Sequence, residues 1–464
     1  MSRLNSSILP LLATTMLTYP AARAGDSPAP VPAFPIPSDA EAWARLPTPE
    51  KGGGQPLPSW ARMTAEALPR TTAMMLQLDY VQRAGSPLDP GLRAAMRYVA
   101  AKASRCAYAE AYALADARAA GLSEARVQAL RDGDHSDWSA DERAALRFAL
   151  KMAIASGTVT DEEFAALVSA YGESGAAAMV LLSAYAGFQD RLLLCLGAPI
   201  EEGGPRPPAE FAFRREPMAR GSGLVSPTPP PPLVDGGEDV VADDPAWSAV
   251  SFEELQARME RQRSRPTRLP IPTWEQVQAA APGYYPPGSK PVRVVWGLVC
   301  AGYQPKLAIA WNSAMWTFWA EAADVLPPTF SHGVFWVTTR ANDCPYCMGH
   351  SEMIMELNGL SRSQIEDRTR RLAGDDWSGF RPEEQRVFDF ARKLAFDPSG
   401  AVADVETIRR DFGDRRAMTI LWNVTHGHYM TRVSNGFQLT LERDNVFRDR
   451  FADPKPATAP DAAR

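Results

Sequence analysis

Cysteine and histidine are scarce in this chain, with five of each in 464 residues. So few cysteines in so long a chain exclude a disulfide framework. Charge of one sign is lacking too: 49 Lys and Arg stand against 55 Asp and Glu, a formal net charge of -6. That balance gives no nucleic-acid footprint. No stretch of about 18 apolar residues follows the N-terminal region, so no interior membrane span is expected. Alternating strand-like runs are nearly absent. The best, Val292 to Val299, fits the start of a helix equally well.

What is present in quantity is proline, 41 residues, gathered outside the periodic segments. The stretch 203–265 is Pro/Gly-rich and reads as an extended linker with a short helix near Phe252 to Arg261. Residues 1–33 combine Arg3, the apolar run Ile8 to Leu17 and the small-x-small triplet Ala22-Arg23-Ala24. They fit either a secretory signal followed by a disordered stretch, hence an exported protein, or a disordered extension of a cytoplasmic one. Residues 454–464 read as a frayed tail.

Either side of the linker the chain repeats itself. Phe34-Pro35-Ile36-Pro37-Ser38 recurs as Leu269-Pro270-Ile271-Pro272-Thr273, each ending in a residue suited to cap a short helix. Asp137-Trp138-Ser139 recurs as Asp376-Trp377-Ser378, Tyr171-Gly172 as Phe412-Gly413, and Arg191 as Arg432. The spacing drifts only between 235 and 241 residues along the chain. Within both copies, 34–202 and 266–453, apolar residues recur at three- and four-residue intervals. The expected fold is all-α, with two homologous helical repeats packed as a pseudo-symmetric pair. Trp138 and Trp377 are expected as core anchors, and Arg191 and Arg432 as structural ion-pair arginines.

The copies part company at one segment. Cys344-Pro345-Tyr346-Cys347-Met348-Gly349-His350 aligns with Cys106-Ala107-Tyr108-Ala109-Glu110-Ala111-Tyr112. The second cysteine and the histidine survive only in the C-terminal copy. Four of the five histidines, His332, His350, His426 and His428, also lie there. Asn342 or Asp343 as N-cap and Pro345 in the first turn would start a helix at the cysteines. Cys344, Cys347 and His350, three apart, then share a face. A helix N-terminus and a nearby imidazole both favour thiolate, and can bring a cysteine from about 8.5 into the roughly 3.5–7.5 range of reactive thiols. Two such cysteines form the minimum apparatus of a disulfide cycle. Cys106, Cys195 and Cys300 stand alone and are expected to be buried and inert.

At these residues the chain resembles the carboxymuconolactone decarboxylase/alkyl hydroperoxidase D superfamily, over roughly 60–200 and again over 300–440. The resemblance implies an all-α, often oligomeric protein of the redox branch, acting as a thiol-dependent peroxidase or disulfide reductase with no organic cofactor. It implies that Cys347 attacks a peroxide, that Cys344 resolves the sulfenic acid, and that His350 belongs to a proton relay. An external dithiol would supply the electrons. Two positions depart from the family pattern: His350 follows Cys347 by three residues rather than four, and His332 stands where the relay glutamate is expected. His426, His428, Arg432 and Tyr346 are candidates for the surrounding shell. The N-terminal copy would be a catalytically silent packing partner.

Two other readings stay open on the residues alone. The decarboxylase branch works on a lactone by acid–base chemistry without a cysteine pair. A CxxC can also be half of a zinc site in a non-enzymatic interaction protein, completed by histidines.

Overall fold

The computed structural model describes residues 31–214, 223–226, 230, 232–233 and 236–448. The expectations for residues 1–30 and 454–464 lie outside them. The described chain is 65% helix, and its strands are a two-stranded antiparallel clip, Pro49–Lys51 with Ala212–Phe213.

The helices that carry the argument are numbered here in chain order. The N-terminal half contributes α1 (Pro69–Ala84), α2 (Pro90–Ala103), α3 (Ala107–Ala119), α4 (Ala140–Ala155) and α5 (Asp161–Leu196). The linker contributes α6 (Phe252–Gln262). The C-terminal half contributes α7 (Pro305–Ala322), α8 (Pro328–Ala341), α9 (Pro345–Leu357), α10 (Pro382–Phe396) and α11 (Asp414–Phe437). Val292 to Val299 resolves as the approach to a helix, Val295–Tyr303.

Local sequence explains where these helices begin. Proline opens α1, α2, α7, α8, α9 and α10, where its missing N–H costs no intrahelical bond. Ser38 with Glu41 and Thr273 with Gln276 close reciprocal capping boxes on the two short helices that open the halves. Gly172, inside α5, and Gly413, before α11, take the same backbone angles: φ 69° and ψ 169°, φ 73° and ψ 163°. A side chain there would be strained.

Elements from the two halves share one core. α5 lies along α11, and α1 lies along α7. Phe188 of α5 meets Trp311 of α7 at 5.2 Å and Trp422 of α11 at 5.4 Å, both edge-on. The carboxylate of Glu321 accepts bonds from the backbone N–H groups of Arg70 and Thr71 (3.0 and 2.8 Å), capping α1 from the other half. α5 is long and apolar enough to cross a membrane by composition, yet from Ala176 onward nearly all of it is buried in this core.

Arg191 and Arg432 meet at the α5–α11 contact, and among the described residues neither forms the ion pair expected of it. Arg432 Nη2 donates to the carbonyl of Ala153 at 2.6 Å, while Arg191 Nε donates to the carbonyl of Leu394 at 3.3 Å. Each arginine also bonds the carbonyl four residues back, Arg432 to His428 and Arg191 to Gly187. Gly187 leaves the room: a Cβ there would stand 2.3 Å from Arg432 Cδ. Burial lowers both guanidinium pKa values, that of Arg191 to about 10.

The described part of the linker from Asp244 onward packs against the C-terminal half as a strap. Trp247 is buried under Arg340, whose guanidinium lies 3.7 Å from the indole centroid. Phe252, Leu255 and Met259 of α6 are buried, with α6 packed on α9. Trp138 and Trp377 are core anchors, both almost wholly buried.

Candidate functional site

The cysteine pair sits at the start of α9 as the spacing suggests, but its cap differs from expectation. Asp343 adopts a left-handed φ of 48° and pairs with Arg258 at 2.9 Å, which points its carboxylate away from the helix. The N-cap is Cys344 itself, whose Sγ accepts from the backbone N–H of Cys347 at 3.4 Å. The two sulfurs are 2.7 Å apart and both cysteines are free. Cys347 Sγ lies 3.2 Å from Ser434 Oγ on α11. Because Ser434 gives its proton to the Met430 carbonyl at 2.8 Å, its oxygen is left to accept from the thiol.

Cys344 is 0% exposed and Cys347 2%. Burial, and then the neighbouring Cys344, push the Cys347 thiol well above its ordinary pKa. In this closed arrangement the helix terminus does not bring Cys347 into the reactive-thiol range. Desolvation outweighs the dipole. Cys106, Cys195 and Cys300 are buried free thiols that burial also raises.

His350 turns from the cysteines to a carboxylate. Its Nε2 is 2.7 Å from Glu442 Oε2. On the other carboxylate oxygen Glu442 accepts from Tyr346 OH at 3.1 Å and from the backbone N–H of Val295 at 2.7 Å. Burial would raise the Glu442 carboxyl, but the adjoining His350 imidazole and its hydrogen bond hold it below its ordinary value. Tyr346 and Glu442 thus fix the imidazole one turn along from Cys347. Sequence reasoning missed Glu442, which follows α11 in a stretch without helical periodicity.

A readable signal was available for it. Glu201 precedes Glu442 by 241 residues, the spacing of Arg191 and Arg432. Glu201 Oε1 accepts from Tyr108 OH at 2.7 Å and from the backbone N–H of Ser59 at 2.6 Å, and its Oε2 accepts from Tyr112 OH at 2.6 Å. Tyr108 and Tyr346 therefore do more than pack. Each anchors a buried glutamate.

The other sequence-selected histidines form no hydrogen bond with either cysteine among the described residues. His332 Nδ1 lies 3.1 Å from the Pro328 carbonyl and 3.2 Å from Ser331 Oγ. Its ring rests against Trp319 and Phe335. α8 nevertheless passes α9: Ser351 Oγ donates to the His332 carbonyl at 2.6 Å. His426 is boxed by Trp311, Trp319, Trp422 and Phe335, and neither ring nitrogen has a partner. Burial lowers His332 to about 4 and His426 to about 3. His428 faces the seam, with Nδ1 3.3 Å from both Arg432 Nη1 and Asn342 Nδ2, and burial holds it well below its ordinary value.

A cleft of about 470 Å³ opens over the first turn of α9, with Pro345, Tyr346 and Ser434 in its lining and Arg258 and Arg265 along its wall. The cysteines lie beneath that floor. A larger cleft, about 680 Å³, is lined by Asp244, Asp389, Arg392 and Lys393, which pair among themselves at 2.6–3.6 Å. Of these pairs, Arg392–Asp244 ties the strap to α10, and the other two lie within α10. Among the described residues no three His, Cys, Asp or Glu side chains converge as a metal ion would need.

No protein-family model matches this chain, and no curated protein matches it.

Proposed function

We propose that the C-terminal half is a dithiol oxidoreductase that reduces peroxides or disulfides through Cys344 and Cys347. The observation that carries this reading is the pair of free thiols 2.7 Å apart on one helix turn, with an imidazole fixed by a buried carboxylate one turn further along the same helix. With a hydroperoxide, the Cys347 sulfur attacks the terminal oxygen and the O–O bond breaks. The sulfur gains that oxygen as a sulfenic acid, and the thiol proton ends on the departing alcohol or water. Cys344 then displaces the hydroxyl from the sulfenic sulfur, giving the disulfide and one water. An external dithiol restores both thiols and leaves as its own disulfide. His350 is the proton acceptor in this scheme, oriented by Glu442 and Tyr346, and Ser434 holds the resting thiol. The raised Cys347 pKa means that attack follows an opening of the cleft floor that lets water reach the sulfur.

The same proposal makes the two halves copies of one unit about an approximate two-fold axis. The recurring glutamate with its paired aromatic donors supports this, as does the reciprocal bonding of Arg191 and Arg432 across the seam.

A peroxide titration of the fully reduced protein tests the chemistry. Two thiols should disappear per peroxide consumed, and a dithiol should restore them. Cys347→Ser should abolish consumption, and Cys344→Ser should stop after one turnover with a trappable sulfenic acid. Wild-type turnover in Cys347→Ser would sink the assignment.

A further inference from the structure

The N-terminal half contains a cavity of its own beside Tyr108 and Tyr112, and its lining is unlike a core. Its volume is about 30 Å³, room for about two waters or a molecule of a few heavy atoms. Alanines 94, 109 and 113 form part of its wall. On the pairing of the halves proposed above, these stand where His332, Cys347 and Ser351 stand in the C-terminal half. A silent packing partner would fill such a void with apolar side chains, because an unfilled core cavity is destabilising. Here polar groups converge on it instead.

Gln82 lines the cavity, is 1% exposed, and among the described residues has no hydrogen-bond partner on either amide atom. Arg97 lines it too. One arm of its guanidinium is held by Asp190 and Gln189, whereas Nη1 is buried without a partner among the described residues. Arg93, a third lining residue, reaches only the carbonyls of Ser86 and Leu88, at 3.4 and 3.5 Å. By contrast the carboxylates of the lining itself, Asp79 and Asp116, are engaged, while Asp190, outside the lining, keeps Oδ2 unbonded among the described residues. Asp79 takes Tyr185, Gln189 and Arg83, and Asp116 takes Arg83 on both oxygens. Unpartnered buried polar groups each cost roughly 1–3 kcal/mol, so three such atoms on one small cavity point to an occupant that bonds them.

We propose that this cavity binds a small carboxylate, of formate to glycolate size. Within the lining the unused donors, Arg97 Nη1 and Gln82 Nε2, outnumber the unused acceptor, Gln82 Oε1. A carboxylate is all acceptor, and its planar pair of oxygens suits guanidinium and amide donors. A hydroxyl beside it, as in a 2-hydroxy acid, would donate to Gln82 Oε1. This site stands apart from the cysteine chemistry and does not depend on it.

Thermal unfolding of the full chain tests it, comparing sodium acetate and glycolate with sodium chloride at equal ionic strength, and with acetamide. At 50 mM, acetate or glycolate should raise the midpoint by about 2 °C or more over chloride, and acetamide should not. Ala109→Leu fills the cavity and Gln82→Leu removes its amide. Both should abolish the carboxylate-dependent shift, and either variant suffices if the other fails to fold. No shift beyond chloride in the wild type would show a merely hydrated void and overturn the proposal. So would an equal shift in both variants, which would place the carboxylate elsewhere, or an equal shift with acetamide, which would make the ligand a neutral one.

Discussion

Glu442 holds His350 at 2.7 Å in the C-terminal half, and Glu201 holds Tyr112 at 2.6 Å in the N-terminal half. The carboxylate, the neighbouring tyrosine and the backbone donor recur, and only the residue on the second oxygen changes from phenol to imidazole. A phenol fills the place and makes the bond, but near pH 7 it does not accept a proton as imidazole does. His350→Tyr should therefore fold with stability within about 1–2 kcal/mol of wild type, and lose peroxide turnover by a factor of 100 or more. Denaturant unfolding and single-turnover kinetics check both halves of that statement. A His350→Tyr protein that turns over at the wild-type rate would remove His350 from the mechanism.

Glu442→Gln separates orientation from charge. The amide can keep a bond to His350 but cannot stabilise an imidazolium. The expected outcome is a rate lowered roughly 10-fold at pH 7, checked by single-turnover kinetics. An unchanged rate would show that Glu442 only packs.

Much of this was legible in the sequence, for identifiable reasons. Capping residues, opening prolines and 3.6-residue periodicity are local signals, and they located the helices and the shared face of Cys344 and Cys347. What was not legible depended on non-local partners. Glu442 lies beyond α11, where no periodicity marks it. The arginines looked like ion-pair residues because sequence shows charge and not the carbonyls that meet it across the seam. The cap was misplaced because the positive φ of Asp343 is set by its surroundings, including Arg258 from the strap. Likewise the favourable helix terminus was visible, while the burial that outweighs it was not.

Acid should destabilise the protein in a window set by its buried histidines. His332 and His426 have folded pKa values near 4 and 3, below the unfolded value of about 6.5. Between those limits the unfolded chain binds protons that the folded chain refuses, so stability falls as pH drops from about 6.5 toward 4 and 3. Each group contributes at most about 1.4 kcal/mol per pH unit. His426→Phe removes one contributor without breaking a bond, since neither ring nitrogen has a partner, and keeps a ring in the aromatic box. Urea midpoints at pH 7 and pH 5 should differ less in this variant than in wild type. Identical pH dependence would mean that His426 is protonated in the folded state.

The halves should not survive separation. Gly187 and Arg432, Glu321 and Thr71, Phe188 and Trp422 join elements from both sides of the linker. Each large apolar side chain at this seam is worth about 1.5–3 kcal/mol when buried, and a fragment would expose several together. The polar groups make separation worse, since Arg432 would lose the Ala153 carbonyl and Glu321 its two backbone donors. Deleting residues 1–204 should accordingly give an aggregating chain that binds a hydrophobic dye. A subtler variant probes the same seam without truncation. Gly187→Ala puts a methyl against the Arg432 side chain, where the close approach leaves no space, and should cost about 1–3 kcal/mol. Arg432→Met in the same chain relieves that clash, so the double variant should be more stable than the two separate losses would sum to. Strict additivity would show that Gly187 and Arg432 do not meet, and a soluble, active 205–464 fragment would show that the N-terminal half is not needed to complete the core.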